Sequence, residues 1–167
     1  MKTHFSIVVW MLAVSMAMKM VIFAGNLQFT GYERIYFFGN LFVIMIGVFL
    51  GIRLFKEMSE TKTGFIADVK AGIKVVGMYA VLMSLFVYVY YTFIDPHYFP
   101  TKIDSQMSML ESSGQNTIND LVKSRETAQV ILAPYFQSTI TLILYLLLGT
   151  FYSSLITFFV RKVRNEA

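Results

Sequence analysis

Four long apolar runs leave this chain few ways to fold. They are Phe5 to Ala24, Ile35 to Leu54, Ala71 to Ile94 and Tyr135 to Val160. Each reaches the ~20 residues that a helix needs to cross the ~30 Å hydrocarbon core of a bilayer. In that core every backbone amide must be satisfied within the protein, so such a run is expected as a helix. Composition agrees: 56% of the residues are hydrophobic and 14% are charged, where a soluble domain carries about a quarter charged. With 167 residues in all, four spans leave no room for a separate soluble domain. The expectation is an all-α integral membrane protein, one four-helix transmembrane domain over residues 1–167. Its spans are expected at 5–24, 35–54, 71–94 and 135–160, with an outer helical loop at 95–133.

The first run follows a basic start and contains the small residues Ser15 and Ala17, features shared with cleaved secretory leaders. It continues past any such cleavage site to Ala24, so it is expected as a span. Lys19 lies near its far end and is expected to snorkel to the interface. In the second run Gly39, Gly47 and Gly51 share one helical face, and Gly47 and Gly51 have the spacing that lets two helix backbones approach. Gly72 and Gly77 are expected as small contacts in the third run. In the fourth, Gly149, Ser153 and Thr157 recur every fourth residue. Packing within the chain is the expected use of these faces.

The polar stretch from Asp95 to Ala133 contains Met107, Leu110, Ile118, Leu121 and Val122 at helical spacing, interrupted near Gly114. Two short amphipathic helices are expected around that break, suited to lying on the membrane surface or covering the bundle. Asn116 or Thr117 is expected to cap the second, with Asp120 in its first turn. Pro134 suits the first turn of the last span. Four spans put both termini and the middle connection on one side. That side would hold Lys2, Arg53, Lys56, Lys62, Lys70, Lys74, Arg161, Lys162 and Arg164, nine of the 14 basic residues. The positive-inside rule then places both termini in the cytoplasm and the 95–133 loop outside.

The third run ends in the stretch YVYYTFIDPHYFP, Tyr88 to Pro100. Asp95 and His97 there could serve as metal ligands or a proton relay, or as the polar end of a span. Pro96 disfavours helical dihedrals at Asp95, which ends the helix at about Ile94. Tyr88, Tyr90, Tyr91, Tyr98 and Phe99 are expected at the outer interface, where a ring prefers lipid and a hydroxyl prefers water. A metal site needs three or four donors, and the other histidine, His4, is expected on the opposite side. The helix-stop reading is therefore preferred, and no metal or cofactor is expected.

The chain has no cysteine, which removes disulfides, thiolate metal sites and a catalytic thiol. Its net charge of +4 is spread over loop ends and forms no stripe for nucleic acid. No Gly-x-Ser-x-Gly, His-Glu-x-x-His or phosphate-loop motif is present. Polar candidates within the runs include Asn40, Ser84, Gln137, Ser138, Thr139 and Thr141. They are read as bonding to other helices or to carbonyls one turn back, with Asn40 and Gln137 as the candidates for a transport path. A lipid- or headgroup-acting enzyme would have to rely on Asp95 with His97, or on the loop acids Asp104 and Glu111.

A third span ending in YYTFIDP and preceded by KAGIKVVG, an outer amphipathic segment, and a last helix of the form LLLGTFYSSLITFFVRK together resemble the domain-of-unknown-function 4199 family. The resemblance covers nearly the whole chain, and its sharpest marker is Ile94-Asp95-Pro96. It implies a small four-helix membrane protein of bacteria, mainly Bacteroidota, and it brings no catalytic residue. The expected role is a non-enzymatic accessory or scaffold subunit of the cell envelope in the bacterial cytoplasmic membrane. The expected contacts are the lipid bilayer and either a membrane-protein partner or further copies of the chain. A small oligomeric transporter or channel is the alternative, and the membrane enzyme is a third reading.

Overall fold

The computed structural model describes residues 4–59, 62–112 and 118–163. The described residues form six α-helices in the order α1 (His4–Ala24), α2 (Tyr32–Met58), α3 (Phe65–Val89), α4 (Tyr98–Ser112), α5 (Ile118–Ile131) and α6 (Pro134–Val163). A π-helical turn, Tyr90–Ile94, extends α3. Four helical stretches are long and apolar enough to cross a membrane: His4–Ala24, Tyr32–Met58, Phe65–Ile94 and Pro134–Val163. Between 22% and 33% of the residues in their apolar windows are buried within the protein. The remaining apolar surface needs an apolar surrounding, and a bilayer supplies it. Helices α4 and α5 lie in sequence between the third and fourth candidate spans, where two amphipathic helices are expected.

The helices outrun the apolar runs at their ends. α2 begins at Tyr32 and continues to Met58, and α3 begins at Phe65, six residues before Ala71. Charged residues at these ends do not break a helix whose backbone bonds continue, and Glu33 and Asp68 fall in first turns where acids favour the helix dipole. α1 closes with Asn26 in the left-handed region at φ 53°. The amides of Asn26 and Leu27 donate to the carbonyls of Phe23 and Ile22 at 3.0 and 2.9 Å, a C-terminal cap that asparagine tolerates. α4 starts at Tyr98, earlier than the apolar spacing around Met107 suggests, and Pro100 sits in its first turn, where no amide is required. Asp120 lies in the first turn of α5 as expected. The proposed caps Asn116 and Thr117, and the break near Gly114, lie outside the described residues.

The Cα packing divides into two compact units, Met1–Met83 with Leu142–Ala167, and Ser84–Thr141. In the first, four helical stretches pack with neighbours antiparallel. Met11 of α1 covers Gly47 of α2, and further along Met18 covers Gly39. Gly51 of α2 admits Val75 of α3, whose Cγ2 would stand 2.7 Å from a Cβ at that glycine. Gly149 of α6 is occupied by Val76 of α3, and one turn on Ser153 meets Gly72. The buried side of α6 is Tyr145, Gly149, Ser153 and Thr157, a strict every-fourth-residue ridge. Small residues along such a ridge let backbones approach, and van der Waals packing is what holds helices together when the solvent is itself apolar. Gly77, expected as a further contact, faces open space: a Cβ there would meet nothing within 4 Å.

The second unit is held by aromatic packing and by the α4–α5 pair. Tyr91 packs at a tilt against Phe99 and Tyr98 with ring centroids 4.3 and 5.0 Å apart, and Tyr90 meets Tyr91 edge-on at 4.9 Å. Arg125 of α5 pairs with Asp104 of α4 at 2.7 Å.

Candidate functional site: the buried polar contacts

Among the buried polar groups of the first unit, three sets make hydrogen bonds or ion pairs between helices, one at each end and one midway. Midway, the Tyr79 hydroxyl, fully buried, donates to Asn40 Oδ1 at 2.9 Å and lies 2.7 Å from Ser15 Oγ. Asn40 Nδ2 donates to the Tyr36 carbonyl at 2.9 Å, and Tyr145 stacks on Tyr79 with ring planes 7° apart. With Ser15 donating to Tyr79, the Tyr79 hydrogen goes to Asn40 and one amide hydrogen of Asn40 goes to a helix carbonyl, so the Ser-Tyr-Asn chain is continuous. All its members are neutral, so the chain ties α1, α2 and α3 in register and leaves no charged group to accept or release a proton.

At one end Asp68 of α3 is fully buried. Its Oδ2 lies 3.0 Å from Arg161 Nη1 and 3.5 Å from Lys56 Nζ. Its Oδ1 accepts from the Thr63 hydroxyl, and Arg161 also donates to the Thr63 carbonyl at 2.8 Å. One carboxylate thus joins α2, α3 and α6 at the ends of three spans. Antiparallel packing brings Asp68 near the start of α3 against the last turns of α2 and α6. At the other end Lys19 does not run out along the lipid face as expected. It is 5% exposed, 3.8 Å from Glu33 and 5.3 Å from the centre of the Tyr36 ring. A carboxylate and a ring face within reach hold an ammonium more firmly than solvent exposure at the helix end does.

The site residues expected from sequence separate. Asn40 is in the first unit, while Asp95, His97 and Gln137 are in the second. The helix stops before Asp95 as Pro96 requires, but through a π-turn: the Asp95 amide donates to the Tyr90 carbonyl at 2.9 Å. Asp95 is not the open polar end pictured from sequence. It is 9% exposed, and its Oδ2 accepts from the Tyr90 hydroxyl at 3.3 Å. His97 is exposed. Tyr90, Tyr98 and Phe99 are buried among one another, because each ring finds an aromatic neighbour; Tyr88 remains outward. Gln137 Nε2 donates to the Ile131 carbonyl at 2.8 Å and so closes the α5–α6 turn. Ser138, Thr139 and Thr141 bond back to carbonyls three or four residues earlier, as read from sequence.

Sequence reasoning passed over Ser15, Tyr79 and the Asp68–Lys56–Arg161 cluster. A signal existed for Asp68, an acid within a turn of an apolar run in a chain whose spans are otherwise nearly free of acids. Tyr79 carried none, since a tyrosine in an aromatic-rich run does not announce its hydroxyl's partner. Among the described residues, no group of three or more His, Cys, Asp or Glu stands close enough to hold a metal ion.

No curated protein and no solved structure matches the chain. One family does: the sequence pattern described as "Protein of unknown function (DUF4199)" matches residues 6–162. With its four candidate spans in place and nearly its whole length matched, the chain belongs to the DUF4199 family.

Proposed function

We propose that this chain is a non-enzymatic accessory or scaffold subunit of a bacterial cytoplasmic membrane. In this reading both termini are cytoplasmic and the α4–α5 segment lies outside, where it meets a partner membrane protein. The observation that carries it is α5. None of its residues is buried, and Ile118 (80% exposed), Val122, Val130 and Ile131 stand open. Beside them an apolar groove runs between α4 and α5, lined by Met107, Met109, Leu110, Ala128, Ile131 and Leu132. An amphipathic helix with an uncovered apolar face is suited to packing against a second surface. The transporter alternative gains nothing from Asn40 and Gln137, whose amides are taken up within the chain. The bacterial setting rests on the family resemblance, and the orientation rests on the distribution of basic residues.

The test is a pull-down of tagged full-length protein from its native membrane in mild detergent, with an unrelated four-span protein as control. A stoichiometric partner that is lost when residues 105–129 are scrambled is the expected result. A clean homo-oligomer without a partner would overturn the reading in favour of the transporter alternative.

A further inference from the structure

We propose that the groove between α1 and α2 binds one phospholipid with a phosphoethanolamine headgroup, its phosphate on Arg53 and its ammonium on Glu57. The groove has a volume of about 490 Å³. Trp10, Val14, Val43, Ile46 and Leu50 make its walls, and Trp10 and Ile46 are 71% and 53% exposed, so it opens outward. Met11 and Gly47 also line it, Met11 lying where a side chain on Gly47 would stand. Polar side chains line it at one end: Ser6, Arg53 and Glu57.

Three features select the occupant. From Val43 to Leu54 the α2 wall runs 11 residues, or ~16 Å. That is about half of a ~30 Å hydrocarbon core, the depth of one leaflet. The groove therefore fits an acyl chain and its single polar end falls at headgroup level. The second feature is the order of charge. Arg53 comes first from the apolar side, and Glu57 lies one helical turn further out. In a phosphoethanolamine lipid the phosphate likewise comes first, and the ammonium lies two carbons beyond it. The third is unused bonding capacity. Among the described residues, Glu57 Oε1 engages only the Nε of Arg53, at 2.7 Å. The two terminal guanidinium nitrogens make no hydrogen bond among the described residues, and they present the paired donors that suit a phosphate. The other oxygen of Glu57 can accept from a primary ammonium. A choline headgroup has no N–H to offer it, and a glycerol headgroup has no cation. The groove thus distinguishes headgroups by charge order and by the ammonium hydrogen. This inference goes beyond the accessory role and holds whether or not a protein partner exists.

Trp10 is the one tryptophan of the chain and lines the groove, so its fluorescence reports occupancy directly. Full-length protein in phosphatidylcholine nanodiscs would be doped, in separate series, with acyl-brominated phosphatidylethanolamine, phosphatidylcholine or phosphatidylglycerol. Half-maximal quenching is expected at a mole fraction about five- to ten-fold lower for the ethanolamine lipid than for the choline lipid, the size of one charge-assisted contact at the interface. Glu57→Gln should bring the ethanolamine series onto the choline series, and Arg53→Gln should weaken both. The two side chains are 56% and 61% exposed, so neither substitution disturbs the packed interior. Coincident ethanolamine and choline series in the native chain would overturn the proposal. So would stronger quenching by the glycerol lipid, or an ethanolamine preference that survives Glu57→Gln.

Discussion

Replacing Asp68 by asparagine keeps the side chain's shape and removes its charge. In the native fold one fully buried carboxylate faces two cations, Arg161 at 3.0 Å and Lys56 at 3.5 Å, whose side chains are 19% and 8% exposed. Breaking a buried pair from one side costs about 3–5 kcal/mol, because the remaining charge is left desolvated. Here two cations would also face each other. Against that, Arg161 is partly exposed in the last turn of α6 and can move toward headgroups, so the expected loss is about 2–4 kcal/mol. The assay is unfolding of the detergent-solubilised chain in mixed micelles of rising denaturing-detergent fraction, followed by helicity and by Trp10 fluorescence. A triple variant, Lys56→Met with Asp68→Leu and Arg161→Met, should recover at least half of the loss. It leaves no charge at this cluster, and apolar replacement of a buried ionic cluster is often neutral or better. If Asp68→Asn stays within ~0.5 kcal/mol of the native chain, or if the triple variant is no more stable than the single, the cluster does not join these helices as argued.

Two further outcomes follow from the packing and from the orientation. Gly149→Val should disrupt the α3–α6 contact, since even its Cβ would overlap Val76, whereas Gly77→Ala meets nothing within 4 Å and should stabilise by up to ~1 kcal/mol through helix propensity; the same micelle titration reads both. Because the chain has no cysteine, single cysteines at Ser105 and Lys70 can be probed in intact cells with a membrane-impermeant maleimide. Labelling at 105 and protection at 70 are expected, and the reverse would invert the proposed orientation.

The number, order and approximate limits of the spans were legible in the linear chain, because lipid demands a helix wherever ~20 apolar residues run together. So were the amphipathic character of the segment that forms α4 and α5, the stop imposed by Pro96, and the face shared by Gly149, Ser153 and Thr157, since each depends on residues within a few turns. Tertiary structure decided the partners. Apolar periodicity cannot say that Tyr79 answers Ser15 and Asn40, residues 64 and 39 positions away, or that Lys19 turns to Glu33. Nor could it place Arg161 on Asp68, 93 positions distant. Gly77 and Gly149 look alike in sequence, yet one faces open space and the other takes Val76. Asp95 looked exposed, yet its carboxylate accepts from Tyr90 five residues back, which required the π-turn as well as the proline. The physical reason is the solvent. Bilayer and bundle interior are both apolar, so hydrophobicity marks which segments enter the membrane and says little about which side of each faces protein. That choice falls to close fit at small residues and to a few buried polar groups, and both depend on the neighbouring helix.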